Sequence, residues 1–141
     1  MKSRGSYKLK GYIYLPIDSV PTLIRATGTD KVYHVDINNK KAWVPTANVF
    51  NSWKWNWNLI KDISQAQLNA YPDAYPSKVV FKDGTFIKYG NDIAIIQNGQ
   101  KCQFTNWQAY VNHHGSSTLD GVITVDAAEW SLNGRGPDIT K

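Results

Sequence analysis

The sequence predicts an α+β protein made of two tandem β-β-β-α-α repeats, which are small antiparallel meanders that each carry two short helices. Three observations predict this fold class. Polar two-residue turns separate short runs of β-branched and aromatic residues, helix-capping residues follow those runs, and the same order of signals occurs twice. Thr22 corresponds to Thr85 and Ile63 to Val125, so the second copy follows the first at nearly constant spacing.

The first copy occupies residues 12–72. Its first strand is expected around Tyr12–Leu15, and the runs TLIRA, KVYHV and KKAWV follow, the last two separated by a turn at Asn38-Asn39. Two short helices are expected next, because Thr46 precedes ANVFNSW and Ser64 opens the capping pattern SQAQ.

The second copy occupies residues 78–134 and repeats this order. Its first strand is expected at Lys78–Phe81, and the runs TFIKY, DIAII and QKCQF follow, with hairpin turns at Asp83-Gly84 and Asn98-Gly99. The patterns TNWQ at Thr105 and DAAE at Asp126 are typical of helix starts.

The remaining segments lie outside the two copies. Residues 1–11 are interpreted as a basic leader or a first strand, residues 73–77 as the connection between the copies, and residues 135–141 as a C-terminal tail. A unit of this size has little core of its own, so the two copies are expected to pack together or to pack on neighbours in a longer array. Duplicated small modules favour a binding or spacer function over an enzymatic one.

Composition narrows the class of protein. Hydrophobic residues make up 42% of the 141 residues and charged residues 19%, so disorder is not expected. No apolar run approaches the roughly 20 residues that cross a bilayer, so no membrane span is expected. The net charge is +5, but residues 1–10 supply +4 of it. The near-neutral remainder makes nucleic acid a disfavoured partner.

Neither the cysteine content nor the N-terminal sequence indicates a disulfide, a metal site or a targeting signal. Cys102 is the single cysteine, so it forms no internal disulfide and builds no zinc site. The start MKSRGSYKLKGYIYLP has a charged region without an adequate apolar core, so no signal peptide is expected in this chain. Lys2–Lys10 is interpreted as a solubilising tail or, from Tyr7 onward, as the first strand, and the alternative is contact with anionic lipid, teichoic acid or nucleic acid.

The first copy carries a recognisable motif, VY-x-V…KK-x-WVP…VF…W…IS-x-x-x-L…YP. It resembles a degenerate repeat of bacterial cell-surface and secreted proteins and of some phage proteins, over about 50 of the 141 residues. The second copy departs from the motif at Cys102, Gln103 and Gly134. The resemblance implies an extracellular, accessory, non-enzymatic module and transfers no catalytic residue. The matching residues are Val32-Tyr33, Lys40-Lys41, Trp43-Val44-Pro45, Val49-Phe50, Trp57, Ile63-Ser64, Leu68 and Tyr71-Pro72.

The densest chemical feature is the run WKWNWN at residues 53–58. In an extended segment, alternation would place the three indoles on one side and the polar side chains on the other. Indoles pack on the apolar faces of sugar rings and also stack on unpaired bases. The alternative is that the indoles cover a small core, and Trp57 is assigned to that core. The predicted ligand-binding residues are Trp53, Lys54, Trp55 and Asn56.

Catalytic and metal sites are not expected. His113, His114, Ser116 and Asp120 fall in one Gly/Ser-rich loop, whereas a catalytic triad needs side chains that converge from a scaffold. Glu129 is the only glutamate, and its position after Asp126 is explained by helix capping. No catalytic residue, metal ligand or cofactor is therefore assigned.

The sequence predicts a non-catalytic accessory module, located outside the cell or on a cell or virion surface. Its expected partner is a glycan or cell-envelope polymer, bound through the aromatic face. The first alternative is a structural or assembly protein of a virion or surface layer, in which the aromatic face buries against a second copy. The second alternative is a single-stranded nucleic-acid binder, which predicts strong salt dependence.

Overall fold

The protein is mostly β. A computed structural model describes residues 21–141, and these residues form nine strands in two sheets together with four short helices. The prediction of two tandem β-β-β-α-α meanders is wrong, because the strands form sheets of five and four members that include parallel pairs. The leader at residues 1–11 and the strand expected at Tyr12–Leu15 lie outside the described residues.

The first sheet has the strand order β4-β1-β2-β3-β5. Its centre is an antiparallel meander, and β4 and β5 add to the two edges of that meander in parallel with β1 and β3. The strands are β1 (Thr22–Ala26), β2 (Val32–Val35), β3 (Lys41–Val44), β4 (Ile60–Ile63) and β5 (Asp73–Lys78).

The second sheet has the strand order β8-β7-β6-β9. Here too a three-stranded meander is extended by a later strand, since β9 pairs in parallel with β6. Asn98 and Gly99 both have positive φ in the β7–β8 turn, which confirms that predicted hairpin. The strands are β6 (Phe86–Tyr89), β7 (Asp92–Gln97), β8 (Gln100–Gln103) and β9 (Ile123–Thr124).

The four helices begin close to the predicted capping residues. Ser64 and Asp126 each form a complete capping box, and the Thr46 hydroxyl accepts a hydrogen bond from the Val49 N–H. The third helix is capped by Asn106, one residue after the predicted Thr105. The helices are α1 (Ala47–Ser52), α2 (Gln65–Ala70), α3 (Trp107–His114) and α4 (Ala127–Trp130). Within residues 21–141, no helix has the length and apolar character needed to span a membrane.

The fold class differs from the prediction because a meander leaves hydrogen-bonding groups free along its edges. In the first sheet, β4 uses the free edge of β1, and the pairing continues as the Thr27 N–H donates to the Ile63 carbonyl at 2.8 Å. Residues 73–77, interpreted as a connection, lie in β5 and pair with β3. Of the strand expected at Lys78–Phe81, only Lys78 is in a strand.

One hydrophobic core joins the two sheets. Leu23 from β1 and Phe50 from α1 belong to the same buried cluster as Ile87 from β6 and Ala94 from β7. Asn133 supports this junction, because its buried amide exchanges hydrogen bonds with the backbone of Phe81 between the sheets. The full cluster comprises Leu23, Val32, Val44, Val49, Phe50, Phe81, Ile87, Ala94, Ile96 and Val125.

Candidate ligand-binding site

The segment that carries the tryptophans is a tight turn. Trp53 caps the C-terminus of α1, Lys54 follows with a φ of 62°, and residues 57–59 form a 3₁₀ turn that leads into β4. The expectation of an extended segment with three indoles on one side is therefore wrong. The turn begins because the Trp53 and Lys54 N–H groups donate back to the Phe50 and Asn51 carbonyls.

Two of the indoles form an aromatic stack with a histidine. The rings of Trp53 and Trp55 are 5.5 Å apart between centroids and 15° from parallel. Trp55 also lies 4.9 Å from His34 on β2, with only 4° between the two ring planes. Such parallel arrangements are favourable for aromatic rings at these distances. We call these three residues the aromatic stack.

Hydrogen bonding and core contacts fix the stack in place. The Trp53 Nε1–H donates to the Val80 carbonyl at 2.9 Å. Trp55 meets the buried ring of Phe50 edge-on at 5.5 Å between centroids. Both indoles are partly buried and pack against the shared core, so their surroundings restrict their rotamers.

Trp57 separates from the other two indoles. Its ring stacks on Phe50 at 3.8 Å between centroids, and its Nε1–H donates to the Asn51 side chain at 2.8 Å. However, 47% of the residue remains exposed. The assignment of Trp57 to the core is wrong, because the indole covers the core edge with one face and leaves the other to solvent.

The aromatic stack borders an open cleft of about 930 Å³. The cleft, which we call the tryptophan cleft, brings together Trp53, Lys54 and Trp55 from the predicted site. It does not include Asn56, whose side chain accepts a hydrogen bond from the Asn58 N–H at 2.9 Å and so caps the 3₁₀ turn. The lining residues are Pro21, His34, Trp53, Lys54, Trp55, Lys78, Val79, Val80 and Lys82.

Sequence reasoning missed three of the polar groups in this cleft. His34 comes from β2, Lys78 from the end of β5, and Lys82 from the segment that leads to β6. Burial lowers the pKa of the His34 imidazole from its ordinary value of 6.5, against the opposing effect of the Asp36 carboxylate. His34 is therefore neutral near pH 7, which suits its position flat against an indole.

The charge in the tryptophan cleft is positive. Its lining, as far as residues 21–141 are concerned, contains Lys54, Lys78 and Lys82 but neither Asp nor Glu. The Asp83 carboxylate, next in sequence to Lys82, accepts hydrogen bonds from the Asn98 and Gly99 N–H groups. In the part of the chain that the structure describes, the ion pairs lie elsewhere, namely Arg25–Asp62, Lys41–Asp73 and Arg135–Asp138.

Local hydrogen bonds stabilise the loop that follows α3. His114 Nδ1 lies 3.0 Å from the Ser116 hydroxyl, and His114 Nε2 lies 2.6 Å from the backbone carbonyl of Asp120. The Ser116 hydroxyl is also 2.9 Å from that of Thr118. The structure thus brings together histidine and serine, but Asp120 contributes its carbonyl and not its carboxylate. This arrangement differs from the triad geometry, in which a carboxylate orients the imidazole.

Asp126 and Glu129 cap the N-terminus of α4, as the sequence predicts. Glu129 is only 6% exposed, and its Oε1 accepts hydrogen bonds from the Asp126 N–H and the Asn48 amide. Asp126 in turn accepts from the Glu129 N–H. Nowhere in residues 21–141 do three His, Cys, Asp or Glu side chains converge as a metal ion would require.

Comparison with protein-family models, with curated proteins and with solved structures found no match to this chain. The geometry and charge of the tryptophan cleft are therefore the basis for a functional proposal.

Proposed function

We propose that the protein is a non-catalytic accessory module of a cell or virion surface, and that it binds a glycan or cell-envelope polymer in the tryptophan cleft. The observation that carries this proposal is the aromatic stack itself. Trp53 and Trp55 are only partly buried, yet they are anchored by the Val80 carbonyl and the Phe50 ring at the border of an open cleft.

The physical chemistry of the cleft suits a sugar chain. A pyranose ring presents a face of C–H groups that packs on an indole, while its hydroxyls need hydrogen-bond partners. Lysine ammonium groups and the His34 imidazole supply those partners. Because both indoles are already held in place, little side-chain entropy is lost when a ligand binds.

A binding function is favoured over a hydrolytic one by the groups that line the cleft. Glycoside hydrolysis generally uses two carboxyl groups that flank the scissile bond. Within the described residues, lysine, histidine and tryptophan line the cleft, and no carboxylate does. The cleft is therefore proposed to hold its ligand unchanged.

The test is a titration of intrinsic tryptophan fluorescence with soluble glycans and cell-wall fragments. We expect a saturable change that Trp53→Ala removes. The matched control is Trp107→Ala on α3, because Trp107 is 50% exposed and does not line the cleft. Circular dichroism establishes that both variants fold. If no member of the panel gives a saturable change, or if both variants bind like the parent, the proposal fails.

Self-association is the second candidate, and one observation favours it. Trp57 and Leu59 lie in the same 3₁₀ turn and are 47% and 37% exposed, so they offer an apolar surface beside the cleft. An assembly protein that buried this surface would form larger species as concentration rises. Light scattering across a hundredfold range of concentration separates this candidate from a monomeric glycan binder.

A further inference from the structure

Three lysines from separate parts of the chain converge on the tryptophan cleft. Lys54 follows α1, Lys78 ends β5, and Lys82 precedes β6. All three are exposed at their positions, and the Lys82 ammonium lies 6.0 Å from the centre of the Trp53 ring. Since the fold brings them together from distant positions, the positive charge is a property of the cleft and not of a local charge run.

These ammonium groups have no carboxylate partner within the described residues. The ion pairs within residues 21–141 involve other lysines and arginines, and the nearby Asp83 carboxylate is occupied by the β7–β8 turn. A concave site lined by one sign of charge concentrates its field and attracts ions of the opposite sign.

The backbone at Lys54 is a second observation. Its φ of 62° is one that residues with a side chain rarely adopt, and glycine or asparagine would take it with less strain. The turn nevertheless carries a long cationic side chain at the border of the cleft. Lys54 directly follows the C-cap Trp53, where helices commonly end in this left-handed conformation, and so the end of α1 places the lysine at the cleft.

We propose that the ligand of the tryptophan cleft is an anionic glycan, in which carboxylate or phosphate groups are attached to the saccharide. This inference rests on the proposed function and specifies its substrate class. The sugar ring packs against the aromatic stack, and Lys54, Lys78 and Lys82 hold the anionic groups by charge-assisted hydrogen bonds. A neutral glycan packs against the stack in the same way but offers the lysines only hydroxyl groups, and so it binds more weakly.

The charge distribution favours a glycan over single-stranded nucleic acid. A nucleic-acid groove follows a backbone over several nucleotides and needs basic residues along its whole length. Residues 21–141 instead carry 12 basic and 10 acidic groups, and three of the basic groups meet in this one cleft. A short anionic saccharide fits such a local concentration of charge.

The test compares oligogalacturonate with its methyl ester, because esterification removes the charge and keeps the sugar. A glycerol-phosphate polymer tests the phosphate source of the same chemistry. We expect the methyl ester to bind at least about tenfold more weakly, and the affinity for the acid to fall as salt rises. If ester and acid bind equally, the cleft is a general glycan site and the anionic inference is overturned while the proposed function stands.

Substitutions of single lysines test which residues cause the preference for charged glycans. We expect Lys54→Gly to weaken acid binding by about two- to fivefold, as for other exposed charge contacts, and to weaken binding of the ester to a smaller extent. Lys54→Gly also relieves the positive-φ strain, so a loss of folding does not explain the effect. Lys78→Gln and Lys82→Gln should act in the same direction. Lys61→Gln, an exposed lysine on β4 outside the cleft, is the matched control and should bind like the parent.

Two further outcomes overturn the inference. If Lys61→Gln weakens binding as much as the cleft variants do, the attraction is a general effect of net charge. If oligodeoxythymidylate binds and no glycan in the panel does, both the anionic glycan and the proposed function are wrong.

Discussion

His34 has an unusual environment for a histidine on a β strand. Its imidazole lies nearly flat against Trp55, and burial lowers its pKa below the ordinary value of 6.5. The neutral ring is therefore the form that the folded protein favours. Asp36 acts in the opposite direction but is the smaller effect.

We predict that acidification destabilises the protein partly through His34. The unfolded chain binds this proton at the ordinary pKa and the folded chain only at lower pH, so the free energy of unfolding decreases as pH falls below about 6.5. His34→Phe keeps an aromatic ring at this position and removes the proton. Urea unfolding at several pH values should show a shallower pH dependence for the variant. Parallel curves for parent and variant would contradict this role for His34.

Only some of the residues that line the cleft can be predicted from the sequence. Trp53, Lys54 and Trp55 are adjacent, so their composition alone indicates a candidate site. Lys78, Lys82 and His34 are distant in sequence, and only the pairing of β3 with β5 and the path of the chain into β6 bring them near the indoles. Side-chain alternation predicts a ligand contact for Asn56, whereas asparagine often caps a turn, as it does here.

At the scale of elements, helix starts can be predicted from local sequence signals, whereas strands that form by long-range pairing cannot. The capping boxes of α2 and α4 depend on residues three apart, and the sequence predicts both. In contrast, β4 has the sequence IKDI, which shows no alternation, and β9 contains only two residues. Their strand conformation depends on the free edges of β1 and β6, which no local pattern reveals.

The cap of α4 provides a prediction at this scale. Asp126→Ala removes the acceptor for the Glu129 N–H, and we expect a loss of about 1 kcal/mol in the free energy of unfolding. Asp126→Asn keeps a side-chain oxygen that caps equally well, so most of the stability should remain. Chemical denaturation measures both variants. Equal losses for the two would show that the negative charge matters and the cap hydrogen bond does not.

At the scale of the whole molecule, the two sheets depend on one another. The buried cluster takes Leu23, Val49 and Phe50 from the first half and Phe81 and Ile96 from the second. Each half also has a smaller buried cluster of its own, but the largest cluster needs both sheets. The two tandem repeats that the sequence predicts are not formed, but a sheet of four or five short strands is likewise too small to bury much apolar surface alone.

We predict that the protein unfolds in a single cooperative transition. Because the core is shared, loss of one sheet exposes the apolar residues of the other. The calorimetric and van't Hoff enthalpies should agree, and fluorescence and far-ultraviolet circular dichroism should report the same midpoint. Two separated transitions would contradict the shared core. A fragment of residues 79–141 is expected to lack a cooperative transition altogether.

The common core also determines how this architecture can be recombined. A genetic exchange that joins new sequence directly after β5 separates Phe50 from Phe81 and Ile87, and so leaves each half with an apolar surface in water. Exchange at the same boundary would also divide the cleft, since Lys82 lies beyond it while Trp53 and Trp55 lie before it. The pair of sheets, and not either sheet, is therefore the smallest unit that can be inherited or transplanted with its binding surface intact.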